Sequence, residues 1–216
     1  MEQATSKTFD AEAYTAALYG AREAVRKFID ESNANPILLR FAWHDAGSLQ
    51  GARGSIRFEQ ELQHGANAGL KKCVGFLQPV KDKYPVLSWA DVIQMAGAEA
   101  VAAAGGPRVP IRFGRVDAPA PAKEGGLPAA LPPFPEKNPA AHLRAVFGRM
   151  GFGDREIVAL SGAHTIGRAF AERSGAVDES AGKGTKHTMP PACPRFDGKE
   201  GMGMPGGRSW TPRWLT

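Results

Sequence analysis

The stretch Leu39-Arg40-Phe41-Ala42-Trp43-His44-Asp45-Ala46-Gly47 decides how the chain is read. Pro36 ahead of it suits the first turn of a helix, where a missing N–H costs nothing, and Gly47 suits its end. On that helix Arg40 and His44 stand one turn apart with Trp43 beside them, so a guanidinium, an imidazole and an indole share one face. An arginine stays charged where a histidine can be held neutral. The pair suits a reaction that moves a proton while a developing anion is stabilised, and cleavage of a peroxide is one such reaction. The same spacing equally fits an Arg40 turned to solvent and a His44 hydrogen-bonded within a core.

Upstream, Tyr14, Leu18, Val25, Phe28 and Ile29 recur at helical spacing between about Asp10 and Glu31, with Asp10 placed to cap the start. Downstream, a Gly-rich link over 48–55 leads to a second polar group, Glu61 to Asn67. Leu70, Val74, Leu77 and Val80 then mark a helical face between Ala68 and Lys83. Ser88-Trp89-Ala90-Asp91 reads as a capping-box start for an Ala-rich helix ending near Ala104. Residues 107–139 hold 9 of the 17 prolines, which excludes a long helix there. Helical pattern resumes at 140–147 and after Asp154, and that last helix delivers Ser161-Gly162-Ala163-His164-Thr165-Ile166-Gly167. No strand-rich segment or internal repeat occurs, so the chain is predicted to be all-α.

The 216 residues suffice for a sizeable core, and the net charge is +5. Basic residues are scattered among acids, which argues against a nucleic-acid partner and allows a small anionic substrate. Cys73 and Cys193 have no metal spacing and favour a reducing compartment. No apolar run is long enough to span a membrane, and Met1 to Asp10 shows no signal core or transit pattern, so a cytoplasmic location is expected, with the chloroplast stroma as the alternative. Gly201-Met202-Gly203-Met204-Pro205-Gly206 fits a dinucleotide fingerprint in spelling only, because no strand precedes it and proline interrupts the following helix.

Taken together, the Arg40-x-x-Trp43-His44 helix, Glu61 with Asn67, Gly114-Arg115-Val116-Asp117, the Ser161 to Thr165 segment and Glu172-Arg173-Ser174-Gly175 resemble the class I plant-type haem peroxidases, ascorbate peroxidases most of all. The resemblance runs from about Tyr14 to Trp214. It implies one haem peroxidase domain over 1–216, with a distal part at about 10–105, a Pro-rich connection at 107–139 and a partial proximal part at 140–216. Haem b would sit between distal and proximal helices, with His164 as the iron ligand. His44 would be the acid-base group, Arg40 the anion stabiliser, Asn67 the acceptor fixing the His44 tautomer and Glu61 its support. Trp43 would pack on the haem, although a plain core aromatic explains it nearly as well. By the same resemblance Trp210 stacks near the axial histidine, Ser174 contacts a haem propionate, Arg173 binds ascorbate, and Thr165 with Thr211 contributes to a potassium site. The implied activity is reduction of hydrogen peroxide to water with ascorbate as donor. The alternatives are a haem-binding or regulatory protein with little turnover, or a peroxidase with a protein donor such as cytochrome c.

The chain also departs from that pattern. The family continues beyond Trp210 with a Phe-Asp-Asn-Ser-Tyr-Phe segment and an aspartate that accepts the ring N–H of the proximal histidine, so a C-terminally truncated chain with an incomplete proximal side is expected. Ser32, Gly126 and Ala129 stand where many ascorbate-oxidising members carry charge.

Overall fold

The computed structural model describes residues 10–48, 51–127 and 138–167. These form seven α-helices and three short 3-10 turns, with no strand among the described residues, as the sequence pattern predicts. The helices are α1 (Ala11–Ser32), α2 (Asn35–Ala46), α3 (Glu59–Leu62), α4 (Lys71–Lys83), α5 (Trp89–Ala103), α6 (Pro139–Gly148) and α7 (Asp154–Ser161).

Local chemistry sets most of these boundaries. Asp10 caps α1 by accepting the Ala13 N–H at 2.9 Å, and Asn33 ends it in the left-handed conformation that asparagine tolerates. Ser88 Oγ accepts the Asp91 N–H at 3.1 Å to start α5. The expected capping box is only half formed, because the Asp91 carboxylate turns inward. It accepts from the Tyr14 hydroxyl, the Gly114 and Arg115 N–H groups and the Arg115 guanidinium, and so ties α1, α5 and the Gly114-Arg115 segment together. The first N–H groups of α5 are served instead by Asp117, which accepts from Trp89 N and Ala90 N at 3.0 and 2.9 Å.

The core lies between α5 and the helices α1, α2 and α4. Val25 and Ile29 of α1, Leu38 and Phe41 of α2, Leu77 of α4, and Val92, Ile93 and Met95 of α5 are buried there. Tyr14, Leu18, Phe28 and Val74 pack against it while remaining partly exposed, and the small Ala17 and Ala21 continue the buried α1 face toward its N-terminus. Cys73 is also buried in this core as a small residue, its Sγ 3.8 Å from Ile37 O. A Cβ built on Gly97 would stand 2.5 Å from the Ala42 Cβ, so α2 and α5 approach closely only because this position is glycine. Gln94 reinforces the contact by donating to Ala42 O at 3.0 Å. Buried Glu99 of α5 joins α1 by accepting the Nε–H groups of Arg22 and Arg26 at 2.5 and 2.6 Å. α2 is thereby fixed along its apolar face, leaving its Arg40/Trp43/His44 face partly open.

Candidate active site

The open face of α2 meets the Glu61 to Asn67 stretch. Asn67 sits in the turn Gly65–Asn67 and is almost fully buried. Its amide bridges two partners: Oδ1 faces His44 Nδ1 at 2.7 Å, and Nδ2–H donates to Glu61 O at 2.7 Å. With the amide fixed in this sense, His44 carries its proton on Nδ1 and presents a lone pair at Nε2. Arg40 Nε–H points at that lone pair from 3.3 Å. The other Arg40 donors are held by Ala68 O at 3.1 Å and Ala66 O at 2.9 Å.

Burial pushes the His44 pKa down from 6.5 to about 4, and the Arg40 charge adds to this, while the bond to Asn67 works the other way. His44 is therefore a neutral base at neutral pH, facing a permanent cation. Burial also lowers the Arg40 pKa.

Glu61 supports Asn67 by a route that sequence alone does not show. Its main-chain carbonyl, not its carboxylate, receives the Asn67 amide. The carboxylate instead accepts from Ala122 N at 2.6 Å and Ser55 Oγ at 3.3 Å, binding the Pro-rich connection to the α3 turn. Asp45, which the sequence reading did not single out, follows His44 on α2 and is fully buried. Its Oδ2 accepts Gly54 N–H at 2.9 Å, while its Oδ1 is the buried side-chain oxygen without a partner among the described residues. Burial first, opposed by main-chain N–H donors and joined by nearby Glu61, raises its pKa from 3.8 to about 6.

Trp43 is half-buried and stacks on Phe147 of α6, with ring centroids 5.5 Å apart. His164 lies in the turn Gly162–Thr165 that follows α7; its side chain is exposed, with Nδ1 3.2 Å from Ser161 O. A proton held on Nδ1 by that carbonyl leaves Nε2 free as a ligand atom. The same segment reaches α2, because a Cβ built on Gly167 would stand 2.6 Å from Pro36 Cβ. Gly167 also has φ +84°, so both its space and its backbone suit glycine. Arg173, Ser174, Trp210 and Thr211, together with the Thr165 side chain, lie outside the described residues.

Among the described residues all the regular elements are helical, and a neutral imidazole and a guanidinium meet on one helix face; the comparisons with known proteins name a family. The chain belongs to the peroxidase family, whose model, described as "Peroxidase", matches residues 21–208. Among curated relatives, it is 47% identical over 213 residues to "Probable L-ascorbate peroxidase 7, chloroplastic" of Oryza sativa subsp. japonica, covering 93% of this chain and 54% of the relative. It is also 47% identical over 213 residues to "L-ascorbate peroxidase T, chloroplastic" of Arabidopsis thaliana, covering 93% and 46% of the two chains. With "L-ascorbate peroxidase 2, cytosolic" of Arabidopsis thaliana the identity is 46% over 170 residues, covering 76% and 65%. The chain spans about half the length of the curated relatives it matches over nearly its whole length.

The donor set fits a haem. His164 offers an exposed imidazole whose far nitrogen is anchored, the ligand type that holds haem iron in peroxidases. Arg40 and His44 add a cation and a neutral base in a partly desolvated setting.

Proposed function

We propose that this single domain is a haem peroxidase domain that reduces hydrogen peroxide with ascorbate as electron donor. The observation that carries the reading is His44: half-buried, neutral, fixed at Nδ1 by Asn67 and offering Nε2 toward Arg40. His164 Nε2 would hold the iron of haem b, and Trp43 would lie along the macrocycle. Haem, when bound, supplies the iron that takes up peroxide and the electrons that split its O–O bond.

The side chains supply the proton chemistry. His44 Nε2 takes the proton from the near peroxide oxygen and returns it to the far one, which leaves as water. Arg40 occupies that lone pair at rest, so it turns away before the proton is taken, and the freed guanidinium stabilises negative charge on the leaving oxygen. Asn67 keeps the tautomer in which Nε2 is the base throughout. Arg173, Ser174 and Trp210 are assigned to ascorbate, a haem propionate and the axial histidine by the resemblance, and Thr165 with Thr211 to a potassium ion. The relatives matched over 93% of this chain are named chloroplastic, which favours the chloroplast stroma over the cytoplasm.

The test is a haemin titration of the full chain, followed by stopped-flow mixing with hydrogen peroxide and then ascorbate while the visible spectrum is recorded. Stoichiometric binding, a peroxide-dependent spectral change and its reversal by ascorbate are expected. His44→Ala should bind haemin normally and react with peroxide roughly 100- to 10,000-fold more slowly, the range for losing a positioned acid-base group. An unchanged rate would remove His44 from the reaction. Arg173→Ala should lower ascorbate oxidation more than oxidation of a small phenol, and equal losses would argue against an anion site there.

A further inference from the structure

Where α2 ends, later residues grip it. The last carbonyls of a helix have no internal partner, and Gly47 O, just past α2, receives Arg149 Nη2–H at 2.9 Å. Arg149 stands at the C-cap of α6 and also donates from Nε to Val146 O at 3.1 Å, so it serves two helix ends at once. A cation there lies at the negative end of both helix dipoles. Two residues earlier, buried Phe147 stacks on Trp43. Leu127 Cδ2 and Trp43 Cε2 fill the space around Gly47, standing 3.0 and 3.1 Å from where a Cβ on it would be.

The other end of α2 is touched as well, through Pro36 against Gly167. Between these two contacts run the end of α6, a reversal at Gly151 (φ +83°) and α7, with Arg144 paired to both Asp154 oxygens at 2.8 Å. The segment 147–167, which carries His164, therefore meets both ends of the helix that carries His44. A 12-residue helix is about 18 Å long, and contacts at both its ends fix the orientation of the 147–167 segment on it where one would leave a pivot.

We propose that Arg149 is a positioning residue: by holding Gly47 O, with Phe147 on Trp43, it sets the spacing between the His44 helix and the His164 segment. This rests on the reading of His44 and His164 as two sides of one site. An arginine at the end of an exposed helix is ordinarily a solvated side chain. Arg149 differs in spending two donors on main-chain carbonyls, one of them 102 residues earlier in the chain.

Hydrogen exchange on the full chain, without and with haemin, tests it in wild type, Arg149→Ala and Arg149→Lys. In Arg149→Ala the amides of 43–48 and 155–161 should exchange about tenfold faster, while those of α1 and α5 keep their wild-type rates. Haemin should also dissociate about tenfold faster. Arg149→Lys, which retains a donor for Gly47 O, should recover most of both effects. Unchanged exchange, an equal increase across all helices, or a lysine variant no better than alanine would each overturn the proposal. Exchange is read on the haem-free chain, so failure of the wild type to bind haemin would count against the peroxidase reading and leave the exchange result intact.

Discussion

His44 and Asp45 are neighbours on α2, about 100° apart around its axis, and burial moves their pKa values in opposite directions. Between about pH 4 and 6.5 the unfolded chain holds a proton on His44 that the folded chain rejects, so this group makes stability rise with pH across that window. Between pH 3.8 and about 6 the folded chain holds a proton on Asp45 that the unfolded chain releases, so this group makes stability fall with pH. At about 1.4 kcal/mol per pKa unit, each contributes roughly 3 kcal/mol, and the two slopes nearly cancel. Asp45→Asn removes one side of the balance. Urea unfolding of this variant should show stability rising by about 1 kcal/mol per pH unit from pH 4 to 6, with the variant more stable than wild type at pH 7. A variant that is less stable at pH 7 would show that the buried carboxylate is matched by something its unpartnered Oδ1 does not reveal. Asn67→Val addresses the catalytic side. It removes the acceptor of His44 Nδ1–H, which normally raises the His44 pKa, so His44 should become harder still to protonate. The peroxide reaction should slow roughly 10- to 100-fold, the usual loss when a supporting partner is removed. A pH–rate profile identical to wild type would mean that Asn67 does not control the tautomer.

At the scale of the helix pair, α2 and α5 depend on one absent side chain. Gly97→Val would drive a side chain into Ala42 Cβ and force the helices apart. Overpacking of this kind costs typically about 1–3 kcal/mol, and the displaced α2 would carry Arg40 and His44 away from Asn67. Urea unfolding should show the loss, and the His44 pKa read by NMR should move up from about 4 as water enters. A destabilised variant that kept the wild-type His44 pKa would separate the packing from the site. The α2 helix itself was legible in Pro36, the apolar spacing and Gly47, because those signals are local. The Ser88 cap and the Asp10 cap were legible for the same reason. Asp91 was misread, since the residue pattern of a capping box says nothing of Tyr14 and Arg115 converging on the same carboxylate from distant segments. Pairing of Asn67 with His44 came from family likeness, not from spacing, and the use of the Glu61 carbonyl could not be read at all, because main-chain acceptors carry no residue signature. Arg149 left no local trace, as its partner lies 102 residues away.

Across the whole molecule, the two parts are unequal in what holds them. The α1, α2, α4 and α5 assembly has a continuous buried core, whereas α6 and α7 bury only His142, Phe147 and Ile157 and expose Leu143, Val158 and Leu160. Among the described residues, the Arg144–Asp154 pair joins α6 to α7, and the contacts at the two ends of α2 join them to the rest of the fold. A ligand held by His164 and lying against Trp43 would add an attachment where the described helices bury least. By mass action, haemin at 100 times its Kd would raise the folded state by about 2.7 kcal/mol. That gain should fall unevenly: the haem-free chain should open first at α6 and α7, and haemin should protect their amides from exchange far more than those of α1. In His164→Ala the unfolding midpoint should no longer rise on adding haemin, and free imidazole, able to enter the space left by the ring, should restore part of the rise. If His164→Ala were stabilised by haemin as fully as wild type, the ligand would be held by another residue. The pairing of the two histidine segments across α2 would then describe the architecture of the chain without describing its chemistry.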